Sequence, residues 1–245
     1  GGLAAGFAES ATPPAAAEAA RAERHFVAAR QSYLATQTNA SLAWQFGRAC
    51  FDRAELATNH AERAKLAEQG ISACRHAILL QPGAAAAHHY LAMNLGQLAR
   101  TKTLGALKLV TEMESEFKAA RQLDERLDYA GPDRSLGLLY LLAPGWPTSI
   151  GSRAKARQHL RRAVELAPEY PENRLALAEA CLRWGDRPGA KRELKELEAL
   201  WPKAVAALTG EEWQAAWTDW QARLESAKAA LAEEPKLQTS PRQHR

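Results

Sequence analysis

Few residues in this 245-residue chain have the types and spacing that chemistry demands. His88 and His89 are adjacent. On a helix such neighbours point about 100° apart and do not readily share a metal ion. Ser152 and His159 are the nearest approach to a nucleophile and a base, yet no carboxylate lies where the sequence would let it orient the histidine. His159 stands among arginines and is expected to be solvated. Glu112, Glu114 and Glu116 alternate around one helix and read as surface charge. There is no Gly-rich phosphate loop, no G-x-S-x-G and no H-E-x-x-H. Cys50, Cys74 and Cys181 show no metal-site spacing. Either they are small buried hydrophobes, or Cys50 and Cys74 bridge two antiparallel helices in an oxidising compartment. The expectation is a chain that is not an enzyme and holds no metal or cofactor.

Composition bounds the partners. Lys and Arg number 32 against 28 Asp and Glu, and the two signs are interspersed. A nucleic-acid binder concentrates its basic charge on one face or tail, so none is expected here. The densest basic stretch is Arg153, Lys155, Arg157, Arg161 and Arg162. It is either a solvated helix face or a surface for an acidic partner. No apolar run reaches the ~20 residues that span a bilayer. The chain begins Gly1-Gly2-Leu3, and residues 1–20 are rich in Ala, Gly and Pro. That stretch suits a flexible linker left after a signal segment is removed, which points to the periplasm.

The elements that must position these residues are helices. Ala is abundant, while Val, Ile and Thr are scarce. The strongest internal signal is a repeat. Gly151, Ala156, Leu160, Leu166 and Pro168 recur as Gly185, Ala190, Leu194, Leu200 and Pro202, each 34 residues on. That is the period of the tetratricopeptide helix–turn–helix unit. The alanines let two helices approach, the leucines fill the groove beside them, and the prolines are expected to stop the second helix. The same template predicts helix pairs over 42–80, 84–123, 133–167 and 173–200, with a helix over 20–37 in front. A last helix over 210–232 is predicted to start at a capping box of Thr209 and Glu212. Its Trp213, Trp217 and Trp220 share one face, either as a cap on the stack or as an oligomer contact. The expected fold is therefore all-α. It is a right-handed superhelix of tetratricopeptide-like helix pairs with an added N-terminal helix and a C-terminal capping helix. The repeat domain covers 21–232, followed by a polar tail over 233–245.

One segment breaks the helical pattern. Residues 143–151 carry Pro144, Pro147, Gly145 and Gly151 around Trp146. This loop either packs over its own helices or forms the rim of a binding cleft.

The stretch from Gly131-Pro132-Asp133-Arg134 through Leu136-Gly137, Tyr140, Ala143-Pro144-Gly145-Trp146-Pro147 and Ser149-Ile150-Gly151 to Ala156, Leu160, Ala163 and Pro168 resembles the TatT components of TRAP transporter systems. The likeness is close over about 40 residues and elsewhere lies in helix order. It implies a bacterial periplasmic repeat protein, a trimer or other homo-oligomer, with an apolar ligand cleft and a substrate-binding protein as partner. Arg134, Tyr140 and Trp146 fall on the family's motif positions.

Two functions are expected from these readings. The first is a scaffold for a protein partner, an accessory subunit of a periplasmic assembly. In it the first helices of each pair line the binding surface with Arg48, His88, Asn94, Arg134 and Arg174. The second is a carrier of a small hydrophobic ligand, with a deep apolar cleft near Trp146.

Overall fold

The computed structural model describes residues 13–102 and 105–233, and the tail expected over 233–245 lies outside them from residue 234 on. Two compact units divide the chain, one up to Leu166 and one from Ala167.

The first unit holds α1 (Pro13–Ala35), α2 (Ala40–Glu55), α3 (His60–Leu80), α4 (Ala85–Ala99), α5 (Ala106–Leu123), α6 (Leu127–Leu142) and α7 (Arg153–Leu166). Successive helices pack as the pairs α2/α3, α4/α5 and α6/α7. Polar side chains start them: Asn39 accepts from the Ser41 and Leu42 amides, and Asn59 accepts from Glu62. Helix α1 begins at Pro13, seven residues before the sequence reading placed it. Pro fits the first turn, where no N–H is needed, and the alanines after it favour helix over linker. Residues 1–12 of the expected flexible segment lie outside the described residues. Phe26 and Tyr33 of α1 pack on Phe46 of α2 at ring separations of 5.6 and 5.5 Å.

Small residues set the close approaches. A Cβ added to Gly137 would lie 2.6 Å from Leu160 Cγ, so α6 and α7 touch where glycine stands. Cys50 and Cys74 are buried, separate thiols, so the bridge expected as one alternative is not formed. Burial pushes Cys50 up to about 12, with Asp52 adding to it, and raises Cys74 as well.

The second unit holds α8 (Pro171–Arg183), α9 (Arg187–Ala207), a 3-10 turn (Glu211–Trp213) and α10 (Gln214–Ala232). Ala190 and Leu194 are buried as the repeat requires. Pro202 does not end its helix: α9 runs five residues further, to Ala207. Trp201 on Trp217 at 5.2 Å, with Ala204 and Leu208 buried, makes continuing the helix worth one lost backbone hydrogen bond. The last helix starts at Gln214 and not through a Thr209 cap, because Gly210 at φ 108° and the 3-10 turn precede it. Helix α10 caps α8 and α9. Trp220 is 2% exposed and stacks edge-on against Tyr170 and Trp217. Its indole donates to Glu172, which Arg223 also holds.

Candidate functional site

The polar surface of the first unit is built on α2, α4 and the entry to α6. That entry is unusual: Asp128, Tyr129 and Ala130 have φ of 48°, 55° and 63°, a left-handed turn ahead of the right-handed helix. Each such residue costs about 1–2 kcal/mol for an L-amino acid. Asp is among the types that tolerate it best. Pro132 then forces a negative φ and the right-handed course resumes. Arg134 clamps the turn by donating to the Tyr129 carbonyl at 3.1 Å and the Asp128 carbonyl at 3.3 Å, with the Asp128 carboxylate at 3.5 Å.

Facing this turn, Arg48 lies 5.6 Å from the centre of the Tyr90 ring and 3.8 Å from Asp52. Glu55 accepts from Arg100 at 3.0 Å and also from Gln97. The surface carries both signs, the cations Arg48 and Arg100 beside the anions Asp52, Glu55 and Asp128. The packed surroundings of Asp52 raise its carboxyl, with Arg48 opposing and Asp128 adding to the rise, while 45% of its side chain still reaches solvent. Beneath the surface His89 is 1% exposed and its Nδ1 has no partner among the described residues. Burial pushes its imidazole down to about 4, Asp128 working against that and Arg134 and Arg48 with it.

The expected site residues divide. Arg48 is exposed on this surface, as a partner-binding residue must be. Arg134 lies beside it, but its guanidinium holds backbone rather than facing outward, because the left-handed turn leaves carbonyls that need a donor. Asn94 is fully buried, with its amide bridging the Gly47 and Tyr90 carbonyls, and thus ties α2 to α4. His88 lies 2.6 Å from Glu116 and 3.1 Å from the Pro82 carbonyl and faces α5. Tyr140 is 2% exposed and donates to Glu114. Arg174, in the second unit, donates to Glu193 at 3.0 Å. Trp146 is 88% exposed, so it forms no wall of an apolar cleft. His159 is not solvated: its Nδ1 lies 2.7 Å from Asp133, a fully buried carboxylate that Arg121 also holds at 2.9 Å. Sequence reasoning missed that acid because it sits on the facing helix, as it missed Asp52, Glu55 and Arg100. Their i, i+3 and i+4 placement with Arg48 and Gln97 on α2 and α4 was the available signal.

Two grooves mark the first unit. One of about 310 Å³ is rimmed by Glu23, Arg30, Arg53, Glu62 and Lys65 around Phe26 and Leu66. The other, about 640 Å³ and open to solvent, is lined by Ile71, Leu79, Leu95, Leu98 and Leu109 with Glu68, Ser72, Arg75 and His76 among them. Among the described residues no group of His, Cys, Asp and Glu is arranged to hold a metal ion. Nor, among them, is any helix long and apolar enough to cross a membrane.

Comparison with known proteins fits this architecture. The family described as Regulator of microtubule dynamics protein 1-3 matches residues 15–125, and a tetratricopeptide-repeat family matches residues 151–210. Comparison with curated proteins found no match. Among solved structures, a thermophilic TPR protein of Thermus thermophilus superposes with a TM-score of 0.51 at 21% identity, over 85% of this chain and 99% of that one. The paired helices, the close-packed small residues and these matches together make the chain a protein of the tetratricopeptide-repeat fold.

Proposed function

We propose that the chain is a non-enzymatic scaffold that holds a protein partner on the α2, α4 and α6 surface of its first unit, as an accessory subunit of a bacterial periplasmic assembly. The observation that carries this reading is the open, mixed-charge strip of Arg48, Asp52, Glu55 and Arg100 on rigid helices. Such a strip gives a polypeptide register and specificity without enclosing it. The tetratricopeptide-repeat fold supports it, since stacked helix pairs commonly serve as binding surfaces. The test is native mass spectrometry of the tagged protein purified gently from its own source, beside an Arg48→Glu/Arg100→Glu variant. A defined complex with another polypeptide that the variant loses supports the scaffold. A complex that the variant keeps removes these residues from it. The same spectrum counts the copies of this chain.

A second reading rests on the open groove of about 640 Å³, where five aliphatic side chains stand among Glu68, Ser72, Arg75 and His76. On this reading the chain is a TatT-like periplasmic carrier of a small hydrophobic ligand, working with a TRAP-type transport system. A copurifying small mass, lost when Leu95 and Leu98 are replaced by Ser, would favour it over the scaffold.

A further inference from the structure

The loop between α6 and α7 belongs to neither of those surfaces. Trp146 at its tip is 88% exposed and Leu142, at the end of α6, is 62% exposed. Pro144 and Pro147 are exposed beside them. The loop is closed by its own backbone: the Gly151 amide donates to the Pro144 carbonyl at 2.8 Å and the Ser152 amide to the Tyr140 carbonyl at 2.9 Å. These bonds bring the start of α7 against the base of the apolar tip. Arg153 and Lys155 stand there, both exposed, with the Lys155 ammonium 5.0 Å from the centre of the Tyr140 ring.

The charge around this tip has one sign along the chain. Residues 143–164 hold five Lys and Arg and no Asp or Glu. Across space, Glu114 beneath Tyr140 is engaged by Lys118 at 2.6 Å, and Glu125 and Glu165 pair with Arg162. Helix stability does not explain the pattern. Cations in a first turn oppose the helix dipole, and α7 has no acidic residue there.

We propose that this patch docks the protein on an anionic bilayer surface. The tip protrudes rather than forming a groove, the shape for entering a headgroup layer and not for gripping a peptide. Trp is the side chain whose ring sits most readily at the membrane–water interface. Lys and Arg beside it draw on the negative surface potential, and apolar burial and charge act together in such binding.

The test is co-sedimentation of the full chain with vesicles of phosphatidylcholine alone and of phosphatidylcholine mixed with phosphatidylglycerol. Binding is expected to the mixed vesicles only and to weaken as salt rises. Arg153→Ala/Lys155→Ala should lower the affinity about 30-fold, at the contribution of each basic residue near an anionic surface. Trp146→Ala should also lower it, with an unchanged circular dichroism spectrum because the ring makes few contacts. No binding to mixed vesicles overturns the proposal. So does binding that Trp146→Ala leaves intact, which would be diffuse charge attraction. Retention on immobilised polyglutamate without vesicle binding would assign the patch to an acidic protein and overturn it as well.

Discussion

The contact between α6 and α7 has little room for an added methyl group. In Gly137→Ala the new Cβ would lie 2.6 Å from Leu160 Cγ, 2.8 Å from Cδ2 and 3.1 Å from the Leu160 backbone nitrogen. A rotamer change at Leu160 relieves the first two contacts but not the third, so α7 itself must move. Two effects oppose each other. Ala in a helix is favoured over Gly by about 1 kcal/mol, and overpacking a fitted core costs about 1–3 kcal/mol. Because Leu160 is fully buried and part of the clash is with backbone, the overpacking lies in the upper part of its range and wins, and a net loss of about 1 kcal/mol is expected. Urea unfolding followed by far-UV circular dichroism reads it as a lower midpoint at unchanged slope. Leu160→Ala alone should cost about 2–5 kcal/mol. In the double variant the new methyl fills part of that space, so the two costs should fall short of adding by about 1 kcal/mol or more. Gly83→Ala is the control: nothing lies within 4 Å of its Cβ, so its effect should stay within about 0.5 kcal/mol. A Gly137→Ala protein as stable as the parent, or strict additivity with Leu160→Ala, would refute the close packing of this pair.

Three further outcomes follow from the buried polar groups. His89 has a folded pKa of about 4, below its ordinary 6.5, so the fold binds fewer protons than the unfolded chain. Its contribution is present above pH 6.5 and lost as the pH falls toward 4, on the order of 3 kcal/mol; His89→Leu should flatten that part of the stability profile. Asp133→Ala strips a fully buried carboxylate from Arg121 and His159. It should cost about 3 kcal/mol, at the lower end for a broken buried pair because Arg121 is 38% exposed and reaches water; an unchanged urea midpoint would sink the proposed network. Cys50 and Cys74 are buried protonated thiols at pH 8, so both should resist a thiol reagent in the native protein and react on denaturation. Immediate labelling of either would contradict their burial.

What was legible in the chain was what repeats locally. The 34-residue echo of Ala156 and Leu160 in Ala190 and Leu194 marked buried helix contacts, and all four are buried. The expected helix in front of the pairs is α1, which lays Phe26 and Tyr33 on Phe46. Of the tryptophan stripe, Trp217 and Trp220 lie on α10, while Trp213 falls in the 3-10 turn before it. Pro202 misled because local propensity ends a helix there, whereas the tryptophan packing against α10 rewards continuing it. The candidate site was harder still. A polar residue on a predicted inner face has the same sequence signature whether it faces outward, as Arg48 does, ties two helices, as Asn94 does, or braces a turn, as Arg134 does.

The sequence by itself therefore determined the helices and their pairing, because helix propensity and apolar period act over a few residues at a time. The tertiary structure alone decided which charges are buried in the fold and which stay exposed. Asp133 meets Arg121, 12 residues away, and His159, 26 residues away, so these pairings exist only once separate helices have packed. A charge is satisfied by what lies a few ångströms from it in space, and chain order does not encode that.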